Sequence, residues 1–290
     1  LVRQVVGLMG PRLIGAGAVQ LNFVVTTNLA SALAAGSLTA LKQAWQIFTM
    51  PQVVLAQALG IAVLPTFSDQ AARGDLDGMR RSLNEALRLL LVLALPATAG
   101  LLMLGHLIVR LLFESGRFDA ASTTLVSTAL IAYTIGLISH SVLELVVRGF
   151  YALKDTWTPV WVGALAMVLN VILSLAFAWI FTGLGHVGLA LANTVATTVE
   201  VATLAWLLRG RMNGLALRSL ASVTLRCALA AVVMAGALYA WLLVSGVLSS
   251  WLILAGALVL GVAVYWATIW VLAVPEARQI PEVVVRRLRR

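Results

Sequence analysis

The 290 residues are 61% hydrophobic and 11% charged, with a mean hydropathy of +1.01. Soluble domains are about one quarter charged, so this composition excludes a water-soluble globule and indicates an integral membrane protein. In a membrane protein, the net charge of +9 is first interpreted as a signal of membrane topology. The single cysteine, Cys227, excludes a disulfide framework. The chain begins with leucine and shows no signal-peptide pattern, so we expect a fragment or a processed chain.

Eight stretches are apolar over about 20 residues, the length that an α-helix needs to cross the hydrocarbon core. Open strands would leave backbone groups without hydrogen bonds in lipid, and no segment alternates as the strands of a barrel do. The sequence thus predicts an all-α integral membrane protein with about eight transmembrane helices. In chain order they are residues 8–33, 40–64, 86–106, 124–147, 159–182, 187–208, 222–245 and 251–273.

The lysine and arginine side chains are distributed unevenly between the two sides of this map. If the chain enters from the cytoplasm, sixteen of the twenty lie on cytoplasmic segments, three lie on the opposite side, and Arg12 lies inside the first span. The positive-inside rule then predicts that both ends of the chain are cytoplasmic. Because topology accounts for the basic composition, we expect no nucleic-acid partner.

Between the second and third spans, apolar residues recur at helical spacing. The pattern predicts an amphipathic helix on the membrane surface that runs into the third span. Its apolar positions are Leu76, Met79, Leu83, Leu87 and Leu90.

Five segments are more specific than generic lipid-facing sequence. The strongest is RGFYALKDTWTP at residues 148–159, in which Asp155 and Thr156 are placed to cap the following helix. In their order and spacing, these segments make residues 1–211 resemble the MurJ/MviN family, the lipid II flippases of the multidrug/oligosaccharidyl-lipid/polysaccharide exporter superfamily. The other four are GIAVLPTFS at 60–68, LPAT at 95–98, VRLLFESGRFD at 109–119 and GHVGLALA at 185–192.

The resemblance implies a fourteen-helix exporter fold of two six-helix lobes and two C-terminal helices. This chain then contains the second lobe at 1–211, the C-terminal helix pair at 212–274 and a basic cytoplasmic tail at 275–290, and it lacks the N-terminal lobe. The implied activity is the transfer of lipid II, an undecaprenyl-pyrophosphate-linked disaccharide-pentapeptide, from the inner to the outer leaflet by alternating access. The implied location is the bacterial cytoplasmic (inner) membrane. The implied partners are this glycopeptide, membrane lipid and the missing lobe.

Polar residues inside the spans are the candidates for substrate contact, because burying them in lipid is costly unless they line a wet cavity or form pairs. In the family, the second helix of this lobe usually carries an Asp-Arg pair whose Arg contacts the pyrophosphate, and the matching positions here hold Trp45 and Gln46. Gln46 brings no charge, so it is either a substrate contact or a contact between helices. Arg12 either extends to the inner headgroups or turns into the cavity, where it would replace the missing charge.

Four further residues complete the set of cavity candidates. Asn22 and Thr26 share one face of the first span, either as substrate contacts or as contacts between helices. Glu144 takes a position where relatives commonly carry Lys, and its spacing from Arg148 predicts an i, i+4 pair near the cytoplasmic mouth. That pair is either a structural ion pair or part of a site that couples transport to a cation or proton.

No catalytic machinery is indicated. Glu200 is isolated within the sixth span, where it is either protonated or in reach of a polar neighbour such as Asn193 or Thr197, and it is assigned no role. The three histidines are 34 and 46 residues apart without a paired Cys or carboxylate, so no metal site is expected. Because the sequence has neither a phosphate-binding loop nor a nucleophile motif, we expect a transporter without a cofactor rather than an enzyme.

Two alternative functions stay open on the sequence. The neutral Gln46 is compatible with an exporter of another lipid-linked oligosaccharide, or of a drug, within the same superfamily. The alternative from a different class is a non-transporting membrane scaffold that contacts cell-wall proteins through its loops and tail.

Overall fold

The structure is a computed structural model that describes residues 20, 24–116, 118–181, 184–212, 214, 216–246 and 248–274. Residues 24–31 are helical, and the regular elements that follow within the described ranges are all helices. They are α1 (Ser37–Gln52), a π-helical segment (Val53–Gln57), α2 (Ala58–Ala72), α3 (Leu76–Phe113), α4 (Ala120–Ile135), α5 (Leu137–Ala152), α6 (Trp157–Ile180), α7 (Gly185–Arg211), α8 (Leu217–Val244) and α9 (Ser250–Val271).

Six helical stretches of the described chain are long and apolar enough to cross a membrane, and α4 with α5 meets the same criterion as a seventh, bent span. These seven correspond to the second to eighth predicted spans, so the predicted all-α membrane class is confirmed. The first predicted span, 8–33, and the tail at 275–290 lie mostly or wholly outside the described residues. The six stretches are Ser37–Ala72, Leu76–Phe113, Trp157–Ile180, Gly185–Arg211, Arg218–Val244 and Ser250–Val271.

The predicted span at 124–147 is not one uninterrupted helix. Its two halves meet at Gly136 with a bend of 46°. At the bend the Gly136 N–H donates to the carbonyl of Tyr133, 2.8 Å away, instead of to that of Ala132. The hydroxyl of Thr194 on α7 donates to the Ala132 carbonyl at 2.9 Å, so the backbone acceptor that the bend releases is satisfied from a neighbouring helix.

The span Ser37–Ala72 is irregular as well. Pro51 has no N–H to donate, and its ring crowds the carbonyl of the preceding turn. The π-helical segment begins two residues later, at Val53, and forms one turn of wider helix before α2 continues.

The predicted amphipathic helix is present as the first part of α3, which continues without a break to Phe113. Its apolar positions Met79, Leu83, Leu87 and Leu90 are at most 5% exposed. Their burial shows that this stripe packs against other parts of the protein, and the location of the helix at the membrane surface stays a prediction. A stripe that fits a headgroup layer fits a protein interior equally well, because both are apolar on one side.

The described residues divide into two compact units. The first unit is Leu1–Leu83 with Leu125–Leu215, and the second is Asn84–Thr124 with Ala216–Arg290. In the first unit α6 packs along α7, and α5 packs against α7 and α2. Large side chains that are fully buried fill the space between these helices: Phe48, Phe67, Leu145, Phe150, Leu189 and Leu204.

In the second unit α8 packs along α9. The hydroxyl of Tyr265, a buried residue, donates to the carbonyl of Val92 at 2.7 Å, which fixes α9 to α3. The indole N–H of Trp241 donates to the Ile253 carbonyl at 3.1 Å. These two donors are thus satisfied by backbone acceptors, as an apolar surrounding requires.

The connection between α5 and α6 carries the strongest sequence motif. Asp155 accepts a hydrogen bond from the Thr158 N–H at 3.0 Å, so Asp155 caps the helix, which begins two residues before Pro159. Its carboxylate also pairs with Arg211 at 2.5 Å, and the Arg211 guanidinium lies over the ring of Phe150. Burial works to raise the pKa of Asp155, but the hydrogen bonds from Thr158 and the charge of Arg211 outweigh it and hold the pKa below its ordinary value.

Candidate functional site

A cavity of about 440 Å³ lies in the first unit between α5, α6 and α7. One stripe of each helix at three- or four-residue spacing lines it, which is the spacing of a single helix face. Trp45 of α1 closes the cavity on one side. The polar lining residues are His140 and Tyr151 of α5, Asn170 of α6, and Asn193, Thr197 and Glu200 of α7.

A second cavity of about 260 Å³ adjoins the first and shares the lining residues Trp45, Asn170 and Asn193 with it. Thr26 and Thr27, from the helical residues 24–31, form another part of its wall. Its charged lining residue is Lys42, which lies one helical turn before Trp45 on the same face of α1. The two neighbouring cavities therefore differ in charge, with an ammonium group at one and a carboxylate at the other.

The wall between the cavities is built around Trp45. Its indole packs against Phe48 and Tyr133 at centroid distances of 5.1 Å and against His140 at 5.6 Å. The contacts to Tyr133 and His140 are edge-to-face, which is the arrangement that aromatic quadrupoles favour. Trp45 remains 37% exposed, so part of a rigidly held aromatic surface is available to a ligand.

The same wall contains a polar link between α5 and α7. The His140 Nε2 and the Asn193 amide oxygen are 3.1 Å apart, within hydrogen-bond distance. On α6, the Ser174 hydroxyl donates to the Asn170 amide oxygen at 3.4 Å. These bonds orient two amide side chains at the boundary of the cavities, where each presents fixed donors and acceptors.

Glu200 occupies a different position in the larger cavity. Asn193 is seven residues before it on α7, about 10 Å along the helix axis, so the predicted reach to Asn193 is not realised. A Cβ built on Gly163 would lie 3.2 Å from the Glu200 Oε1, so the carboxylate lies close against the backbone of α6. Within the described part of the chain, no group of three His, Cys, Asp or Glu side chains is placed to hold a metal ion.

The predicted pair of Glu144 and Arg148 is formed, with a direct contact between the carboxylate and the guanidinium. The two side chains are 28% and 16% exposed, and Arg148 also donates to the Glu144 carbonyl at 2.9 Å. Arg148 lies over Gly60 of α2, where a Cβ would come within 2.6 Å of the arginine Cδ. Gly60, a residue of the GIAVLPTFS motif, thus makes room for this ion pair.

The structure brings together only part of the predicted site. Thr26 lines the smaller cavity, whereas Gln46 is exposed and lines neither of the two cavities. Glu144 and Arg148 pair with each other outside both linings. Arg12 and Asn22 lie outside the described residues.

Sequence reasoning missed several lining residues. Lys42 is one of the three cations that the charge map assigns to the side opposite the cytoplasm, although it is only four residues from Gln46 and lines a cavity with Trp45. Asn170 and Asn193 are isolated amides in apolar helices, and that isolation was the available signal. The sequence does not show that both amides line the same two cavities as Trp45.

Comparison with known proteins identifies relatives over most of the chain. Residues 1–262 match the family described as "Lipid II flippase MurJ". A probable lipid II flippase MurJ of Rhizobium meliloti is 34% identical over 82% of this chain and 44% of its own length. One from Vibrio cholerae is 31% identical over 80% of this chain and 43% of its own length. The chain therefore spans less than half the length of these curated relatives.

Solved structures give the same fold. The structure titled "Lipid II flippase MurJ, inward closed conformation" matches with a TM-score of 0.77 and 24% identity, over 100% of this chain and 56% of that chain. An outward-facing multidrug resistance transporter of the MATE family and MOP superfamily matches with a TM-score of 0.62 and 18% identity, over 90% of this chain and 63% of that chain. The fold is therefore that of MurJ and its MOP superfamily relatives.

Proposed function

Because the chain belongs to the MurJ family of lipid II flippases, we propose that it forms one side of a pathway along which lipid II crosses the bacterial cytoplasmic membrane. The match over residues 1–262 carries this proposal. The substrate is an undecaprenyl-pyrophosphate-linked glycopeptide whose polar headgroup needs a wet path while its lipid tail stays in the bilayer. Transport of this kind makes and breaks no covalent bond, so the protein acts as a flippase and not as an enzyme.

In this proposal residues 1–211 are the second six-helix lobe of the transporter, residues 212–274 are a C-terminal helix pair and residues 275–290 are a basic tail. Both ends of the chain are cytoplasmic, because this orientation places sixteen of its twenty cations inside. The curated relatives are more than twice as long as the matched segment, and a first lobe forms the opposite wall of the pathway.

The headgroup contacts are assigned by charge and position. Lys42 lies four residues before the position where the family carries its pyrophosphate-binding Arg, and it contacts the pyrophosphate from the smaller cavity together with Thr26. Gln46, one turn further along α1 and outside both cavity linings, donates hydrogen bonds to a part of the headgroup that extends beyond the smaller cavity. Arg12 and Asn22 are retained in this proposal as further headgroup contacts, and the Glu144–Arg148 pair stabilises the first unit beside the path.

Transport proceeds by alternating access between inward-open and outward-open packings, which differ in stability when substrate or an ion is bound. The bend at Gly136 and the π-helical segment at Val53–Gln57 are two described points of the first unit where backbone hydrogen bonding departs from a regular α-helix. Such irregular turns absorb changes in helix direction at low cost, so we assign them the hinge role.

The test is complementation with the full-length protein in bacteria whose own lipid II flippase is switched off. Lipid II in the outer leaflet is measured by its cleavage with an externally added lipid II hydrolase. Restored cleavage and growth are the expected result. If growth is restored while another labelled undecaprenyl-linked glycan becomes accessible and lipid II does not, the substrate is a different lipid-linked oligosaccharide. A correctly inserted protein that restores neither, and transports no lipid-linked glycan in vesicles, contradicts the proposal and favours the scaffold.

A further inference from the structure

The larger cavity contains a carboxylate without a countercharge. Among the described residues that line it, Glu200 is the one with a carboxyl group. Within the described chain its carboxylate has neither an ion-pair partner nor a hydrogen-bond donor. Charged groups inside membrane-spanning helices are costly, and those that persist face a cavity and serve a ligand or an ion path. A bound cation would compensate this charge.

The space around Glu200 fits an organic ligand better than a bare metal ion. A volume of about 440 Å³ lies in the range of small-molecule sites, whereas a metal ion needs several ligands within about 2.6 Å of one point. Asn193 and Glu200 are two helical turns apart on α7, so the polar groups are spread along the cavity. Polar groups with this spacing contact different parts of one extended molecule.

The walls favour a cation with an apolar body. Trp45 and Tyr151 both line the cavity, and an aromatic face attracts a cation that lies over it. Gly163 lets the Glu200 carboxylate lie against α6, where an alanine Cβ would press on its Oε1 at 3.2 Å. The ammonium group of Lys42 belongs to the smaller cavity and repels cations there, so a ligand cation is directed to the side of Glu200.

We propose that the cavity lined by Trp45, Asn170 and Glu200 binds a monovalent organic cation, with Glu200 as the countercharge and Trp45 as an aromatic wall. The cationic group has two possible sources, a free amphiphilic cation or the free amino group of a glycopeptide substrate. The second source rests on the proposed function, and the first does not.

The probe is tetraphenylphosphonium, a permanent organic cation, and tetraphenylborate is an anion of nearly the same shape. Each is titrated separately into the purified full-length protein by calorimetry, and the signal of protein-free micelles is subtracted. We expect saturable binding of the cation with one site per protein and at least tenfold weaker binding of the anion. Glu200→Gln, which keeps the shape of the side chain, should weaken cation binding at least tenfold.

Two variants control for folding and for general electrostatics. Glu85→Gln removes an exposed carboxylate that lines neither cavity and should leave the cation affinity unchanged. If Glu200→Gln lowers the melting temperature, Gly163→Ala provides the second test, because it displaces the carboxylate without removing its charge and should weaken binding at least threefold. Equal affinity of wild type and either cavity variant, or equal affinity for cation and anion, overturns the proposal.

The source of the cation is identified with lipid II whose stem-peptide amino group is acetylated. If the substrate supplies the cation, acetylation weakens binding to wild type and has no effect on Glu200→Gln. If a free cation is the ligand, acetylation has no effect on either protein and tetraphenylphosphonium still binds. If the protein binds the cation but does not transport lipid II, the cation site is supported and the proposed function is rejected.

Discussion

The Thr194 hydroxyl donates a hydrogen bond of 2.9 Å to the carbonyl of Ala132, at the bend where one membrane span becomes two helices. Without this donor the Ala132 carbonyl would be a buried acceptor with no intrahelical partner, since the Gly136 N–H bonds to Tyr133 instead. The bend on one helix and the threonine on another thus depend on each other. The same contact leaves no room for a side chain at Gly136, where a Cβ would lie 2.8 Å from the Thr194 Oγ1.

We therefore expect Thr194→Val to destabilise the protein. The substitution keeps the side-chain volume but leaves the Ala132 carbonyl unsatisfied, which costs about 1–3 kcal/mol of the free energy of unfolding. Thr203→Val is the matched control, because the Thr203 hydroxyl donates to the Val199 carbonyl within its own helix. The measurement is unfolding in detergent micelles. Equal stability of the two variants would mean that the bend does not need this donor.

The contact of Gly60 with Arg148 predicts a non-additive pair of substitutions. Gly60→Ala should destabilise the wild-type protein, since the new methyl group displaces the guanidinium from Glu144. In an Arg148→Ala background the side chain that would clash with the new methyl group is absent. Gly60→Ala should then stabilise α2 by about 0.5–1 kcal/mol, because alanine has a higher helix propensity than glycine. Gly210→Ala, at a glycine with open space around it, is the control and should be neutral or stabilising. Additive effects of the first two substitutions in unfolding measurements would rule out this coupling.

Asp155 predicts how stability depends on pH. Its pKa is lowered in the folded protein, so its contribution is present above the ordinary pKa of 3.8 and is lost as the pH falls through the lower, folded value. Asp155→Asn keeps the acceptor for the Thr158 N–H but loses the pair with Arg211, and should cost about 1 kcal/mol at neutral pH. The difference between wild type and variant should persist down to about pH 4 and close below it.

The control for that experiment is Asp69→Asn. Asp69 and Arg73 form an exposed i, i+4 pair, and solvent screening should limit its effect to less than about 0.5 kcal/mol at any pH. Thermal unfolding of all three proteins between pH 3 and 7 makes the comparison. A pH-independent cost of Asp155→Asn would show that the ion pair contributes nothing.

The assignment of the pyrophosphate contact is tested by moving one charge along α1. Lys42→Gln should weaken lipid II binding at least tenfold, because it removes the cation of the smaller cavity. Gln46→Arg should strengthen binding in the wild type and partly restore it in Lys42→Gln. Lipid II affinity of the full-length protein is the measurement, with Lys154→Gln, a loop cation outside both linings, as the control. Unchanged or weaker binding by Gln46→Arg counts against lipid II as the substrate.

The sequence by itself determined the class of the protein and most of its helices. Hydrophobic length decides whether a segment can span a membrane, and seven of the eight predicted spans have described counterparts. The ion pair of Glu144 and Arg148 was also predictable, because residues at i and i+4 on one helix are neighbours whatever surrounds them.

Only the tertiary structure decided which polar residues share a space. Trp45, Asn170 and Glu200 are on three different helices and more than a hundred residues separate the first from the others, so no local pattern connects them. The bend at Gly136 likewise depends on Thr194, nearly sixty residues away. The Ala132 carbonyl that the bend leaves without an intrahelical donor accepts its hydrogen bond from this threonine on another helix. Helix formation follows from local spacing and apolar length, whereas cavities and helix breaks follow from packing between helices that the chain order does not specify.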